Sequence, residues 1–201
     1  MRVSEGYPTV WLLALVNAIA LSAFPMMLLI GSIIGATLSG SEQWATLPIA
    51  LIVIGTACGV IPASRSMARL GRRWTFLLFA LIGAFACLLA ARALASGSFP
   101  LFCLSAAILG TTNAALQQIR FAAMESVPLE KGPAAASMVM CAGIIAACLG
   151  PELALAGQHL FPVQYVGSFM LGVACFIIGG SLLLLYVPAP PRGREHAHNA
   201  R

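Results

Sequence analysis

The chain has 201 residues, of which 60% are hydrophobic and only 8% charged, and its formal net charge is +5. Soluble domains carry about a quarter charged residues, so this chain has too little polar surface to face water on every side and reads as an integral membrane protein. It contains no aspartate, no paired acids, no histidine cluster, no nucleophile motif and no phosphate-cradling glycine loop, which argues against a membrane hydrolase or a nucleotide-driven pump; the reading is a non-enzyme that needs no cofactor.

Charged residues divide the sequence into six uncharged stretches: 6–41, 43–64, 74–91, 93–119, 132–151 and 153–191. A spanning helix takes roughly 20 apolar residues, so each stretch holds one helix and none holds two comfortably. The predicted helices lie at about 10–36, 46–66, 74–94, 100–123, 134–156 and 166–187, all within one transmembrane domain over residues 1–190.

The first predicted helix carries Asn17 and then Pro25, Met26 and Met27; the proline predicts a bend. Its apolar run continues well past the 7–15 residues or so of a secretory core, so it is expected to stay as a membrane helix. The second helix ends in a basic loop, and the third starts at Trp74. In the fourth, Asn113, Gln117, Arg120 and Met124 fall within an arc of about 60° if the helix is continuous, and so form one stripe. The fifth carries Gly150-Pro151-Glu152, where Glu152 is the one acid well inside a predicted span. After the sixth, residues 191–201 (proline-rich and polar) read as a disordered cytoplasmic tail, and His159, His196 and His198 read as solvated loop residues. All six cysteines lie in apolar stretches with no C-x-x-C pair, which argues for packing residues over a disulfide framework.

With alternating spans, ten of the eleven Lys and Arg residues fall on one side and only Arg92 on the other. Basic residues concentrate in cytoplasmic loops, so both termini are expected inside a cell inner membrane. The basic residues are spread over loops facing lipid headgroups, and no nucleic-acid partner is needed to explain them.

Between the second and third helices the chain reads Ser64-Arg65-Ser66-Met67-Ala68-Arg69-Leu70-Gly71-Arg72-Arg73. This resembles the G-x-L-A-D-R-x-G-R-R loop of the major facilitator superfamily at its expected place: Arg69, Gly71, Arg72 and Arg73 match, whereas Ser64 and Ala68 replace the first glycine and the aspartate. In the family that aspartate joins a charge relay and caps a neighbouring helix, so its loss leaves the relay open. A second similarity covers the fourth helix, the connection Val127-Pro128-Leu129-Glu130-Lys131-Gly132, and a fifth helix with Gly150-Pro151. The resemblance implies an all-α membrane fold, one half of a twelve-helix architecture made from a 3+3 inverted repeat. It also implies that the first and fourth helices line a central cavity.

Amide and ionisable side chains within a membrane helix usually face a water-filled cavity or another helix. Asn17, Asn113, Gln117 and Arg120 are therefore substrate-cavity candidates, with snorkelling to the membrane surface as the alternative for Arg120. Glu152 is a candidate for proton coupling, since burial raises a carboxyl pKa, with a packing role as its alternative. Met138, Cys141 and Cys148 lie on one side of the fifth helix and suggest a copper(I) site, although flexible packing explains the same residues. The leading function is a half-size secondary transporter for a small molecule or ion, surrounded by membrane lipid and paired as a homodimer or with a second half from another chain. The competing class is a non-transporting membrane scaffold or assembly factor, for which the polar stripe has little use.

Overall fold

The computed structural model describes residues 6–186, and among these every regular element is helical. The expected tail at 191–201, with Arg2, Arg192, Arg194, His196, His198 and Arg201, lies outside the described residues. The α-helices are α1 (Gly6–Leu21), α2 (Ala23–Ser39), α3 (Leu47–Leu70), α4 (Arg72–Ser96), α5 (Phe99–Leu116), α6 (Ile119–Glu125), α7 (Gly132–Gly157) and α8 (Val166–Leu183), with short 3₁₀ turns at Glu42–Trp44 and Leu129–Lys131. They make six segments long and apolar enough to cross a membrane: Pro8–Ser39, Glu42–Leu70, Arg72–Ser96, Phe99–Glu125, Leu129–Gly157 and Val166–Leu183.

Two of the six spans are broken. The first divides at Ser22, between α1 and α2, three residues before Pro25. Pro25 has no N–H to give the carbonyl four residues back, which is that of Leu21, the last residue of α1. Met26 N–H then bonds Ser22 O at 3.2 Å, and the Ser22 hydroxyl bonds Ile19 O at 2.6 Å. The fourth span, expected as continuous, divides at Gln117–Gln118, where Gln118 N–H bonds Ala115 O in a tightened turn. Between α3 and α4 the chain reverses at Gly71, whose φ of +82° is a conformation open to glycine and unfavourable for a β-carbon.

The most extensive helix contacts are α3 with α5, α4 with α8, α4 with α5, α1 with α7, and, equal to each other, α1 with α8 and α2 with α7. As spans these are 2 with 4, 3 with 6, 3 with 4, 1 with 5, and 1 with 6. Exchanging spans 1–3 for spans 4–6 maps this set onto itself, as two equivalent three-helix units require. The bundle is uneven in its covering: 22% and 28% of the most apolar stretches of the second and fifth spans are buried, against 50% or more in the other four. The flanks of α3 and α7 are thus the open sides of the bundle.

Helices in lipid lack a hydrophobic force between them and associate through close packing and cross-helix bonds, so small residues occupy the contacts. A β-carbon on Gly55 would collide with the carbonyl of Ala107, one on Gly110 with that of Ile52, and one on Gly59 would sit 2.7 Å from Thr111 Cα. On the equivalent contact, Gly150 of α7 lies against the break in the first span, where a β-carbon would come within 2.6 Å of Pro25 Cβ and 2.7 Å of Met26 N. The Gly-Pro pair of α7 and the kink of the first span therefore fit one another.

Gly110→Val should destabilise the fold by about 1–3 kcal/mol through overpacking at the α3–α5 contact. Gly31→Ala, where the nearest atoms are 3.8 Å away, should stay within about 0.5 kcal/mol. Unfolding in mixed micelles with increasing sodium dodecyl sulfate measures both.

Candidate substrate cavity

A cavity of about 170 Å³ opens between α1, the broken fourth span and α7. Its polar lining is Asn17, Gln117 and Arg120, and its apolar lining includes Leu21, Leu116, Val139, Met140 and Gly143. Asn17 is held there: it is 6% exposed, and its Nδ2 donates to the carbonyl of Val139 on α7 at 3.1 Å. Arg120 lies at the start of α6, with its guanidinium carbon 4.9 Å from the centre of the Phe121 ring. That distance allows a cation–π attraction. Its Nε is buried and has no acceptor, and no carboxylate among the described residues lies within ion-pair distance of it. A half-buried cation with an unused donor beside a cavity is suited to hold an anionic or carbonyl-bearing group.

The four expected cavity residues thus separate. Asn17, Gln117 and Arg120 meet, while Asn113 turns to α3, where its Nδ2 donates to Thr56 Oγ1 at 3.3 Å. Thr56 in turn bonds the carbonyls of Ile52 at 2.8 Å and Gly110 at 3.1 Å. Asn113 and Thr56 so clamp α3 to α5. Glu152 stands exposed on α7 and does not line the cavity. Cys141 and Cys148 are exposed on α7. Met138 lines a different, smaller hollow with Val10, Val127 and Ala135. Among the described residues no three His, Cys, Asp or Glu side chains group as a metal site.

At the arginine-rich end, the loop residues bind three spans together. Arg72 Nη2 pairs with Glu125 Oε1 at 2.5 Å, joining the start of α4 to the end of α6. Arg73 Nη2 donates to Leu184 O at 2.6 Å, past the last turn of α8. Gln118 Nε2 reaches Ser64 Oγ at 3.4 Å, while Arg65 and Arg69 stand exposed along a shallow groove of α3. Tyr186 is buried beside this cluster. Burial pushes its phenol above the ordinary range, Arg72 and a hydrogen bond with Ser126 act the other way, and Glu125 adds to the rise.

The sequence model of the Major Facilitator Superfamily matches residues 10–201. The chain belongs to that superfamily. It is 31% identical, over 92% of its own length, to the "Riboflavin transporter RfnT" of Brucella anthropi, and covers 46% of that protein. It is also 28% identical to the "Uncharacterized MFS-type transporter YddS" and 25% identical to YdeG, both of Bacillus subtilis, over 81% of the chain and 38% and 39% of those proteins. The chain therefore spans less than half the length of the curated relatives it matches. Its six membrane-capable helices and their exchange symmetry form half of a major facilitator fold.

Within that fold, Glu125 is a residue that the sequence reading passed over. Ala68 stands in place of the superfamily loop's aspartate, yet the loop keeps an ion pair because Glu125 supplies an acid from the end of the fourth span. The available signal was a pair of acids, Glu125 and Glu130, in the connection at the same membrane end as the basic loop, which does not say which of the two meets it. Thr56, Met140 and Gly143 carried no such signal, since a lone threonine, methionine or glycine in an apolar helix is ordinary.

The Arg72–Glu125 pair is partly exposed, at 25% and 49% of the side chains. A double-mutant cycle with Arg72→Gln and Glu125→Gln should return a coupling of about 0.2–1 kcal/mol at low salt. The coupling should shrink in about 1 M salt, where charges are screened within a few ångströms.

Proposed function

We propose that the chain is one half of a secondary transporter for a small polar or anionic solute, with the cavity at Asn17, Gln117 and Arg120 as its part of the substrate site. The single observation that carries this reading is the unneutralised Arg120 beside a cavity on the spans that line the transport path in the resembled family. Asn17 and Gln117 supply neutral hydrogen-bonding groups, and Met140 and Leu116 supply apolar surface. Riboflavin is the cargo favoured by the likeness to the Brucella anthropi transporter. Its flat ring system carries carbonyls for Arg120 and the amides to bind. Glu152 is exposed in the single half, so the burial first expected of it would have to come from a second half covering the α7 flank. On that footing it is proposed to carry a coupling proton, and both ends of the helical domain are proposed to face the cytoplasm at the inner membrane.

At about 170 Å³ the cavity falls below the 300–1,000 Å³ or so of a small-molecule pocket. This supports a site completed by a second six-helix half packed on the open flanks of α3 and α7. We propose a second copy of the chain, inserted in the same direction, with the cavity on the axis between the two copies. Rocking of one half against the other would then expose the site alternately on each side.

Proteoliposomes should accumulate riboflavin, and Arg120→Ala should lower kcat/KM about ten- to a hundredfold, the range for loss of a hydrogen bond to a charged group. Arg120→Cys in a cysteine-free background should react with a membrane-impermeant thiol reagent in inside-out vesicles. Unchanged flux in Arg120→Ala together with full protection of the cysteine in every state would remove the residue from the site. In the same assay Glu152→Gln should abolish the response to an imposed pH gradient. Native mass spectrometry from lipid should give a dimer; a monomer with full transport activity would overturn the pairing.

A further inference from the structure

A groove of about 540 Å³ runs along the outside of the bundle between α4 and α8, apart from the substrate cavity. Its walls are almost wholly apolar, with Leu77, Leu81, Phe176 and Ile177 along its length. At the arginine-rich end it is lined by Leu70, Trp74 and Leu184. Leu184 is the residue whose carbonyl accepts the bond from Arg73, so the guanidinium is bonded to a residue that lines this end of the groove.

The two adjacent arginines have different partners. The charge of Arg72 is matched by Glu125, whereas among the described residues Arg73 meets only a neutral carbonyl, and its Nε is buried without an acceptor there. Trp74, beside it, is 62% exposed. An indole at a helix end sits at headgroup depth. An apolar channel of acyl-chain character, an interfacial indole and an uncompensated cation at one end together complement a single class of molecule.

We propose that this groove is a binding site for an anionic phospholipid of the leaflet at the arginine-rich end, with an acyl chain between α4 and α8 and the headgroup phosphate at Arg73. Basic pockets between membrane helices hold anionic headgroups in this manner. The lipid would neutralise Arg73, and would link the start of α4 to the end of α8 at the point where the protein itself supplies one hydrogen bond. Neutral lipid fills the same groove without the charge pairing, so preference for anionic over zwitterionic headgroups is what the site adds.

Trp74 serves as the reporter. The chain carrying Trp11→Phe and Trp44→Phe is placed in phosphatidylcholine nanodiscs with a minor fraction of brominated phosphatidylglycerol or, in parallel, brominated phosphatidylcholine, and quenching of Trp74 is read. The anionic lipid should be enriched about fivefold at Trp74 over its bulk fraction, as expected for one basic residue near the surface. Arg73→Gln should abolish the preference. Arg73→Lys should keep it, and so should Arg92→Gln at the opposite end. Equal quenching by the two lipids in the chain with Arg73 intact overturns the proposal without reference to any variant at that position. A preference that survives Arg73→Gln also overturns it, by assigning the effect to the general charge of that end.

Discussion

Hydrocarbon offers an unpaired backbone N–H or carbonyl no water to bond, so a chain crossing it must satisfy its backbone within its own helices. Everything else in this protein follows from that constraint. Helices that already satisfy themselves have little to gain from each other except close packing, and close packing needs residues without bulk. Gly55, Gly59 and Gly110 bring the backbones of α3 and α5 together, and Gly150 does the same for α7 against the first span. Interrupted helices are tolerated only where the gap is packed by protein or lines a water-filled cavity. The break at Ser22 lies against Gly150, and the break at Gln117–Gln118 lies beside the cavity.

The same constraint sorts the polar side chains. Asn113 and Thr56 are consumed by a clamp between α3 and α5, and Asn17 has one donor committed to Val139. Among the described residues Arg120 has neither a carboxylate nor an acceptor for its Nε, and an uncompensated cation is what a membrane domain keeps only for a purpose. At the arginine-rich end Arg72 finds Glu125 and Arg73 finds the end of α8. The loop with superfamily character thus ties the third span to both the fourth and the sixth.

Much of the fold was legible in the sequence because the bilayer reads simple quantities. Six uncharged stretches became six spans, and the helix bounds shifted by a few residues at most ends. Pro25 announced a bend, though the helix gave way at Ser22, where the missing donor released the Leu21 carbonyl. The stripe on the fourth span was legible only in part. Projection at a fixed angle per residue says which side chains share a face but not which neighbour takes each one: Asn113 is taken up by Thr56 on α3, while Gln117 and Arg120, on either side of the break, keep to the cavity.

Composition and the spacing of charges determined that this chain is a six-span helical membrane protein with a basic end, since the transfer of each side chain into lipid is a property of that residue and its near neighbours. The loop from Ser64 to Arg73 carried the superfamily resemblance for the same reason, being a local pattern. Tertiary structure alone decided that Glu125 answers Arg72 across 53 positions of chain, that Gly150 receives the kink at Pro25, and that Asn17, Gln117 and Arg120 share one cavity with Met140. Those outcomes depend on which helix faces meet, and that is fixed by packing between segments far apart in sequence, where each residue type taken singly has many equally acceptable neighbours.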